Sequence, residues 1–289
     1  PAPPYRVGRH TIRPHGESLG FVPTMGALHE GHLQLVDASL RENDYTVVSI
    51  FVNPAQFAPH EDLSTYPRTI QSDLERLGTR ATAAQREGRM VALLPQVNDM
   101  YPFGITQHVP DQVGAFVEVQ GLSHQMEGQT RPTFFRGVAT VVTKLFNIVL
   151  PDRAYFGQKD IQQSIVIRRL VDDLLFTFPH GSKNVRVMPT ARDPIDGLAL
   201  SSRNKYLDEH GRQAAPVLYA GLLPGSQTWS DLQAQGVPPA DRVARTLDAV
   251  RSHIEQATPS HARIELDYVS LNDPETLVQL APGHAAGGL

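Results

Sequence analysis

The chain has 289 residues, of which 40% are hydrophobic and 19% are charged, and its formal net charge at pH 7 is −4. This composition is typical of globular proteins and excludes a disordered chain, and the length is natural for two domains. The mild negative charge argues against a nucleic-acid binder because no basic face is evident, and the lack of cysteine excludes disulfides and thiol nucleophiles.

No membrane span is predicted, because the longest apolar stretch, residues 138–150, is interrupted by Lys144 and Asn147. The chain starts at Pro1 without a basic-then-apolar secretory leader, which indicates a trimmed start. We therefore expect a cytoplasmic protein with no membrane partner. Residues 1–18 contain Pro and His without a clear pattern and are expected to form a loose arm.

The first patterned segment predicts a strand, a turn and a helix. The apolar run at 19–22 indicates a buried strand that breaks at Pro23 and passes through Gly26. A helix is predicted to begin at Gly31-His32, with apolar residues at helical spacing: Leu33, Val36 and Leu40. Such a turn is expected to leave free backbone N–H groups at the positive end of a helix dipole, which suits a phosphate.

His29 and His32 stand at this predicted helix start, three residues apart, and imidazoles can donate hydrogen bonds to anionic oxygens. Two alternatives stay open: surface residues near a helix cap, or metal ligands. The helical zinc signature places its histidines four residues apart, and no cysteine is available to complete a thiolate site, so zinc is not expected. We interpret the turn as a nucleotide site.

The segments that follow alternate between strand and helix patterns. Strands are predicted at 45–52, 90–94, 153–156 and 185–188, and helices from about Thr69, over 138–148 and after Gly157. The last of these helices is expected to bury Val166, Leu170 and Leu174, and the polar stretch 79–89 is expected to be an exposed insertion. This alternation predicts an α/β fold with a parallel sheet and helices on both faces.

The pattern changes after Pro189, where Asp193-Pro194 and Asp196-Gly197 are turn signals. Beyond them we expect mostly helix, with a loop or linker at 226–239 and one alternating strand at 263–271. The tail from His284 onward is too plain to interpret. The boundary is placed near Pro189-Thr190, which predicts domains at residues 1–189 and 190–289.

Two further segments carry groups suited to phosphate. In residues 156–163 a strand again turns through Gly157 into a helix, and Lys159 supplies a mobile positive charge, although a solvated Lys–Asp pair is the alternative. In residues 200–204 two hydroxyls stand beside a guanidinium and can wrap phosphate oxygens, although Ser capping an ordinary helix is the alternative.

Four segments in order along the chain together resemble the pantothenate synthetases, which are pantoate–β-alanine ligases of the nucleotidyltransferase superfamily. They are PTMGALHEGH at 23–32, FVNPAQF at 51–57, FGQKD at 156–160 and LSSRN at 200–204. The two signatures of the superfamily correspond to residues 29–32 and 201–203. The similarity runs from about Leu19 to Leu207 and continues more weakly beyond.

The resemblance implies an ATP-dependent ligase that joins (R)-pantoate to β-alanine through a pantoyl-adenylate intermediate and releases AMP and pyrophosphate. It implies a Rossmann-like first domain that binds ATP and pantoate, and a smaller α+β C-terminal domain that acts as a lid. It also implies Mg²⁺ on the triphosphate and a homodimer. The metal ligands are not identified.

The resemblance further implies two sets of site residues. The nucleotide contacts fall on Met25, Gly26, Ala27, Leu28, His29, Glu30, Gly31, His32, Gly157, Gln158, Lys159, Asp160, Ala191, Leu200, Ser201, Ser202 and Arg203. The pantoate contacts fall on Gln56 and Gln163.

The chemistry of such a ligase gives these residues roles. A carboxylate does not react with an amine at neutral pH, so pantoate is expected to attack the α-phosphorus of ATP and form a mixed anhydride. Negative charge then gathers on phosphate oxygens, and the protein positions the reactants and compensates that charge. The expected catalytic residues are His29, His32, Lys159 and Arg203, with His32 as the proton donor and residues 201–203 arriving when the lid closes.

The substrate side of the site follows the same logic. Gln56 and Gln163 suit the hydroxyls and carboxylate of pantoate, while Met25 and Phe57 are expected to pack against its gem-dimethyl carbon. Three roles stay equally open for Asp160: a contact to a metal ion, a contact to ribose, or the cap of a helix.

Three positions depart from the family pattern: Phe134 replaces a common His, Gln158 a frequent Glu, and Leu200 a frequent Met. Three alternatives stay open. One is another nucleotidyltransferase of the superfamily that releases pyrophosphate without ligation, against which the pair Gln56 and Gln163 argues. The second is a non-catalytic nucleotide-binding module in which Phe134 has abolished turnover, and the third is a generic Rossmann-like domain with none of these contacts.

Overall fold

The computed structural model of the protein describes residues 16–260, 262 and 264–280. Residues 1–15 of the expected arm and the tail from His284 lie outside the described residues. The chain divides after Ala191 into two compact units. Within the described part, no helix combines the length and the apolar character needed to cross a bilayer.

The first unit is built on a five-stranded parallel sheet. The strands are β1 Leu19–Thr24, β2 Tyr45–Ile50, β3 Met90–Leu93, β4 Arg153–Gly157 and β5 Val185–Met188. Their order in the sheet is β3–β2–β1–β4–β5, and the register pairs Phe21 with Val47 on one side of β1 and with Ala154 on the other. Each strand overlaps a predicted run, and the predicted parallel α/β sheet is confirmed.

Helices connect these strands. They are α1 Glu30–Glu42, α2 Ile70–Ala83, α3 Val97–Met100, α4 Glu127–Thr130, α5 Phe134–Val149 and α6 Ile161–Asp173. Single 3₁₀ turns occupy Pro54–Gln56, Val109–Asp111, Gln158–Asp160 and Ser182–Asn184. The first helix begins one residue before the predicted Gly31-His32 start, because His29 occupies its N-cap.

Helices cover both faces of the sheet, as consecutive residues of β1 demonstrate. Val22 is buried in a cluster that includes Val36 of α1 and Leu77 of α2. Phe21 points to the opposite face, where its ring meets the ring of Phe146 in α5 edge-on at 6.2 Å between centroids. Packing on both faces fixes the strand ends and therefore the turns that leave them.

The order of the strands reverses between β1 and β4. The chain runs outward from β1 through β2 to β3 and then returns to the other side of β1 for β4 and β5. In open parallel sheets, ligands bind outside the carboxyl ends of the strands at such a reversal. The turns that follow Thr24 and Gly157 lie at this crevice.

Two predictions in the first unit need correction. Leu174 does not lie on the buried side of its helix: it follows the end of α6 and is 50% exposed. The segment 79–89 is not a pure insertion, because α2 continues to Ala83 and buries Ala81 against the core.

The second unit is helical in its described part. It contains a 3₁₀ turn at Ser202–Tyr206, then α7 Glu209–Ala214, α8 Val217–Ala234 and α9 Pro239–Ala257. The last two helices approach closely, since a Cβ on Gly225 would lie 2.3 Å from Cγ2 of Val250. Val217, Val250 and Ile254 form a small buried cluster there.

Two predictions in the second unit are also corrected. The loop expected at 226–239 is helical up to Ala234, because its polar residues line the exposed side of α8. The strand expected at 263–271 is absent over residues 264–271, and the nearest pairing is an isolated antiparallel bridge between Asn272 and Gln279. An alternating pattern needs a partner strand, and the described residues of this unit supply none.

Candidate active site

The turn that leaves β1 contains two residues with left-handed backbone. Gly26 has φ +84° and Ala27 has φ +49°. A Cβ on Gly26 would lie 2.9 Å from Cγ2 of Ile50, so conformation and space both require glycine. The Thr24 hydroxyl fixes the start of the turn: it donates to the Ser49 carbonyl at 2.7 Å and accepts from the Gly26 N–H at 3.2 Å.

Asp73 of α2 is 1% exposed and reaches the same turn. Its Oδ2 accepts the N–H of Ala27 at 2.9 Å and its Oδ1 accepts the N–H of Leu28 at 2.8 Å. The prediction that the turn leaves these N–H groups free for phosphate is therefore wrong. Because a carboxylate already satisfies them, the N–H groups of Ala27 and Leu28 are not available to an incoming anion.

No local sequence pattern indicates this role of Asp73. It lies 46 residues after Ala27, and only the packing of α2 against the turn brings the carboxylate there. The Thr69 hydroxyl donates to the same carboxylate at 3.2 Å and helps to hold it.

His29 and His32 form a reciprocal capping box at the start of α1. Nδ1 of His29 accepts the N–H of Gly31 at 3.1 Å, and Nδ1 of His32 accepts the N–H of His29 at 3.4 Å. A nitrogen that accepts carries no proton, so the proton of each neutral imidazole sits on Nε2. Both histidines cap the helix with Nδ1 and still offer an Nε2–H donor, with 4.1 Å between ring centroids.

Both imidazoles are neutral at physiological pH. Burial and the charges of Lys159 and Arg76 lower the pKa of His29 to about 4, against smaller opposing effects of Asp160 and Glu30. Burial, His29 and Lys159 lower the pKa of His32 to about 3. The positive charge of Lys159 thus contributes to lowering the pKa of both imidazoles.

Lys159 and Asp160 occupy the 3₁₀ turn after β4. Lys159 Nζ lies 3.3 Å from Asp160 Oδ1, and the two side chains are 40% and 55% exposed. The Lys–Asp pair considered from the sequence is thus present, but an exposed pair of this kind is weak and can open toward a ligand. Asp160 stands at the N-cap of α6 without accepting a backbone N–H, so the helix-cap interpretation is not supported.

A cavity of about 160 Å³ opens beside His32. Its wall brings predicted nucleotide residues together with both predicted pantoate residues: Met25, His32, Asp160, Gln56 and Gln163. The remaining polar wall includes Thr24 and Asn53. The apolar wall includes one side of α5: Val138, Val141, Val142 and Leu145.

The two glutamine amides are available to a ligand in this cavity. Gln56 is 7% exposed, its Oε1 accepts from Nδ2 of Asn53 at 3.1 Å, and its Nε2 lies 3.1 Å from the Met25 sulfur. A thioether is a weak acceptor, so the Gln56 NH₂ keeps most of its capacity to donate. Gln163 is partly buried and makes no hydrogen bond to any residue that the structure describes.

One prediction about the wall is wrong, and one part of the wall was missed. Phe57 does not line the cavity: its ring is 1% exposed and packs edge-on against Tyr66, which lines it instead. The apolar spacing within α5 predicts a helix over 138–148. That spacing could not indicate that the helix faces a ligand cavity as well as the core.

Three other predicted nucleotide residues surround the histidines. The carboxylate of Glu30 binds the guanidinium of Arg80 at 2.5 and 2.7 Å, so its side chain serves the contact between α1 and α2. A Cβ on Gly31 would lie 2.9 Å from Cε1 of His29 and 3.4 Å from Cβ of Ala191. Gly31 therefore leaves room for the His29 ring, and Ala191 lies close to this helix start.

Phe134, which replaces a common histidine, supports an ion pair. The Arg131 guanidinium lies 3.9 Å from the centre of the Phe134 ring and binds the carboxylate of Glu61 through Nε and Nη2. Phe134 therefore supplies a surface for a cation and no hydrogen-bond donor.

Leu200, Ser201, Ser202 and Arg203 belong to the second unit, at the start of its 3₁₀ turn. The Ser201 hydroxyl accepts the N–H of Arg203 at 3.3 Å, so the capping role considered from the sequence is present. The side-chain amide of Asn204 donates to the Ala199 carbonyl at 3.0 Å and closes the same turn.

No cluster of three or more His, Asp or Glu side chains that could hold a metal ion occurs over residues 16–260, 262 and 264–280. The metal-ligand alternative for the two histidines therefore lacks a third ligand in this part of the chain.

Comparison with known proteins gives one consistent result. The model of the pantoate-beta-alanine ligase family matches residues 5–286. A pantoate–beta-alanine ligase of Saccharomyces cerevisiae is 47% identical over 267 residues, which span 92% of this chain and 80% of the yeast protein. A pantothenate synthetase of Thermodesulfovibrio yellowstonii is 44% identical over 270 residues, 93% of this chain and 85% of that protein.

Solved structures agree with these matches. The crystal structure of pantothenate synthetase from Thermus thermophilus aligns with a TM-score of 0.73 at 42% identity, covering 92% of this chain and 85% of that one. A pantoate-beta-alanine ligase from Francisella tularensis, complexed with beta-gamma ATP and beta-alanine, aligns with a TM-score of 0.61 at 33% identity, covering 84% and 82%.

Proposed function

The chain belongs to the pantoate–β-alanine ligase family and is a ligase that forms a carbon–nitrogen bond, and we propose that it works through a pantoyl adenylate. One observation carries this mechanism: a cavity containing Gln56 and Gln163 opens beside His32, at the strand reversal where ligands of parallel sheets bind. The acid and the phosphates of ATP can therefore meet at one place.

In the first step a carboxylate oxygen of pantoate attacks the α-phosphorus of ATP. A new P–O bond forms, the bond to the β-phosphate oxygen breaks, and pyrophosphate leaves with the electron pair. In the second step the amine of β-alanine attacks the acyl carbon, AMP leaves, and the nitrogen loses a proton. The complex of the Francisella tularensis ligase with beta-gamma ATP and beta-alanine supports ATP and β-alanine as substrates of this chain too.

The phosphates are proposed to bind to side chains and not to the backbone turn. His29 and His32 each offer an Nε2–H, and the nearby ammonium of Lys159 adds positive charge. Neutral imidazoles donate hydrogen bonds without delivering a proton, so we revise the expected role of His32 from proton donor to hydrogen-bond donor. Such donors stabilise charge that develops on the phosphate oxygens.

The cavity is proposed to hold pantoate alone. At about 160 Å³ it is smaller than the roughly 300–1,000 Å³ of pockets for drug-sized ligands, which suits a small organic acid better than a nucleotide. Val138, Val141 and Leu145 offer an apolar surface to the gem-dimethyl carbon, together with Met25. The two glutamine amides would bind the hydroxyls and the carboxylate.

Mg²⁺ is proposed to arrive with ATP, as MgATP. The ion commonly binds substrate phosphates and only one or two protein carboxylates. The described residues fit that mode, since Asp160 lies in the cavity wall and no larger ligand cluster is present among them. Its charge would add to that of Lys159 on the triphosphate.

Four further parts of the proposal depend on the family resemblance alone. They are phosphate contacts from Leu200, Ser201, Ser202 and Arg203, a lid role for residues 190–289, a homodimer, and a cytoplasmic location.

The test is to incubate the protein with MgATP and (R)-pantoate, first without and then with β-alanine. We expect pyrophosphate and enzyme-bound pantoyl adenylate in about equal amounts, and then AMP and pantothenate in a one-to-one ratio. Pyrophosphate without any amide product would favour the rival nucleotidyltransferase. ATP binding with no pantoate-dependent pyrophosphate would favour the non-catalytic module.

A further inference from the structure

The geometry points to Tyr101 as a positioning residue that acts through Asn53 and orients the Gln56 amide so that its NH₂ is left for the cavity. The inference depends on the proposed function in one respect, which is that Gln56 contacts pantoate.

Two backbone groups decide how the amide of Asn53 is turned. Asn53 is 1% exposed, its Nδ2 donates to the Gly137 carbonyl at 3.1 Å, and its Oδ1 accepts the N–H of Ala55 at 3.4 Å. A carbonyl can only accept and an N–H can only donate, so exchanging the oxygen and nitrogen of Asn53 would place like groups together. The amide of Asn53 has one satisfactory orientation.

That orientation passes to Gln56. The second hydrogen of Asn53 Nδ2 is donated to Oε1 of Gln56 at 3.1 Å. With its oxygen engaged, Gln56 must place its NH₂ on the other side, where Nε2 lies 3.1 Å from the Met25 sulfur. Both Gln56 and Met25 line the cavity, so the donor of Gln56, and not its acceptor, is left for a ligand there.

Tyr101 completes the arrangement from the far side of Asn53. Its hydroxyl donates to Oδ1 of Asn53 at 2.7 Å, which is the shortest hydrogen bond that Asn53 makes among the described residues. The side chain is 4% exposed, and burial raises the pKa of the phenol above its ordinary value, which keeps the donor proton in place.

Lys144 of α5 holds Tyr101 in turn. Its ammonium lies 3.9 Å from the centre of the Tyr101 ring and donates to the Met100 carbonyl at 2.6 Å. A cation over the ring and a hydroxyl fixed at its far end restrict the position of the phenol. Tyr101 is absent from the cavity wall, so it reaches a bound acid only through Asn53 and Gln56.

The orientation matters because pantoate is an anion. A Gln56 NH₂ donates to a carboxylate or hydroxyl oxygen, whereas a Gln56 carbonyl in the same place would repel a carboxylate. Removing the Tyr101 hydroxyl leaves the buried oxygen of Asn53 with only the 3.4 Å bond to the Ala55 N–H, so the orientation that the backbone groups favour is held less firmly and the Gln56 amide loses part of its constraint. Pantoate binding should weaken while ATP binding, at the histidines, does not change.

The first experiment compares Tyr101→Phe with Tyr155→Phe. Tyr155 is the control, since it is fully buried and its hydroxyl accepts from the side-chain amide of another asparagine, Asn43, at 2.7 Å, but it does not line the cavity. Steady-state rates with saturating MgATP and β-alanine should give a KM for pantoate raised about tenfold in Tyr101→Phe and less than twofold in Tyr155→Phe. The KM for ATP should change less than twofold in both.

The second experiment repeats Tyr101→Phe in a Gln56→Ala background. If Tyr101 acts through Gln56, the KM for pantoate rises in Gln56→Ala and does not rise further in the double variant. Equal and additive effects of the two substitutions, or a Tyr101→Phe enzyme with normal pantoate KM, would overturn the inference. An unchanged pantoate KM in Gln56→Ala would instead remove Gln56 from the proposed site, so the two failures are distinguishable.

A third variant tests the Asn53 donor directly. Asn53→Asp keeps the size and an oxygen that can accept from Tyr101 and from the Ala55 N–H, but it cannot donate to Gln56 or to Gly137. It should raise the pantoate KM by at least as much as Tyr101→Phe, with the folded fraction followed by thermal unfolding. A normal pantoate KM in a folded Asn53→Asp enzyme would also contradict the inference.

Discussion

Nδ1 of His32 accepts the backbone N–H of His29 at 3.4 Å, and the two imidazoles lie 4.1 Å apart between ring centroids. The same bond that caps α1 therefore fixes the tautomer of a residue in the cavity wall. The helix start and the proposed phosphate contact cannot be changed independently, and this coupling decides how the histidines should be tested.

Replacing His32 by Ala should slow adenylate formation more than it weakens ATP binding. Removing one preorganised donor to a developing negative charge costs about 10²–10³ in kcat. His32→Gln should lose less, because a Gln at this helix position can accept the His29 N–H and still present an NH₂. Single-turnover pyrophosphate release measures the rate and calorimetry measures ATP affinity. Parallel loss of both in His32→Ala would identify His32 as a binding group only.

The lowered histidine pKa values should make stability depend on pH. Between pH 7 and pH 5 the unfolded histidines, with ordinary pKa values, take up protons that the folded His29 and His32 do not. The free energy of unfolding should therefore fall as the pH falls through this range, by roughly 1 kcal/mol for each histidine after allowing for partial exposure.

A double variant with His29→Asn and His32→Gln is the control for this pH effect, since both new residues suit their capping positions. Urea unfolding at several pH values should give a flatter pH dependence for the double variant than for the unmodified protein. If the free energy of unfolding has the same pH dependence in both proteins, folding does not lower the pKa values of the two imidazoles.

Asp73→Asn should impair ATP use through the turn after β1. An amide has one acceptor oxygen, so the N–H of Ala27 or of Leu28 loses its partner. We expect a loss of about 1–3 kcal/mol in the free energy of unfolding and a KM for ATP raised about tenfold.

Asp44→Asn is the matched control for Asp73→Asn. The Asp44 carboxylate also accepts a backbone N–H and a hydroxyl, both from Ser18 at 2.8 Å, but it stands just before β2, away from the carboxyl ends of the strands. The Asp44→Asn protein should lose stability, and its KM for ATP should stay within twofold of the value for the unmodified protein. Equal changes in ATP KM for the two variants would contradict a specific role for the Asp73 contact.

Gly137→Ala should disrupt the pantoate side of the site. A Cβ on Gly137 would lie 2.2 Å from the Ala55 oxygen and 2.6 Å from Cα of Gln56, so α5 and the turn at Pro54–Gln56 would have to separate. We expect a loss of about 3 kcal/mol or more in stability, with weaker pantoate binding in the enzyme that still folds.

Gly78→Ala, also in a helix but with open space around it, should stabilise by up to about 1 kcal/mol. Thermal unfolding and pantoate titration distinguish the two, and a stable Gly137→Ala enzyme with normal affinity would show that the close approach is dispensable.

The order of elements in the first unit could be predicted from residue pattern alone. The strand at Leu19–Thr24 and the helix at Phe134–Val149 are long, apolar and periodic, and such local signals do not depend on distant contacts. Two predictions from the pattern were wrong. Residues 226–239 were predicted to be a linker because they are rich in Gln and Pro, and residues 263–271 were predicted to be a strand because apolar and polar residues alternate there. In both places packing partners, not local pattern, decide the conformation.

The motifs around His29 and Lys159 could also be interpreted from the chain itself, because each combines a glycine turn and a helix start with a polar group, whereas Gln56 and Gln163 were indicated only by the resemblance to the ligase family. How these groups affect one another could not be predicted from the sequence. The neutral tautomer of His32 depends on a bond to the His29 backbone, and the satisfied turn depends on Asp73, brought there by a separate helix. Sequence thus determined which chemical groups the site contains. Tertiary packing alone decided their protonation, their free donors and the cavity between them, because burial and hydrogen-bond partners come from residues far apart in the chain.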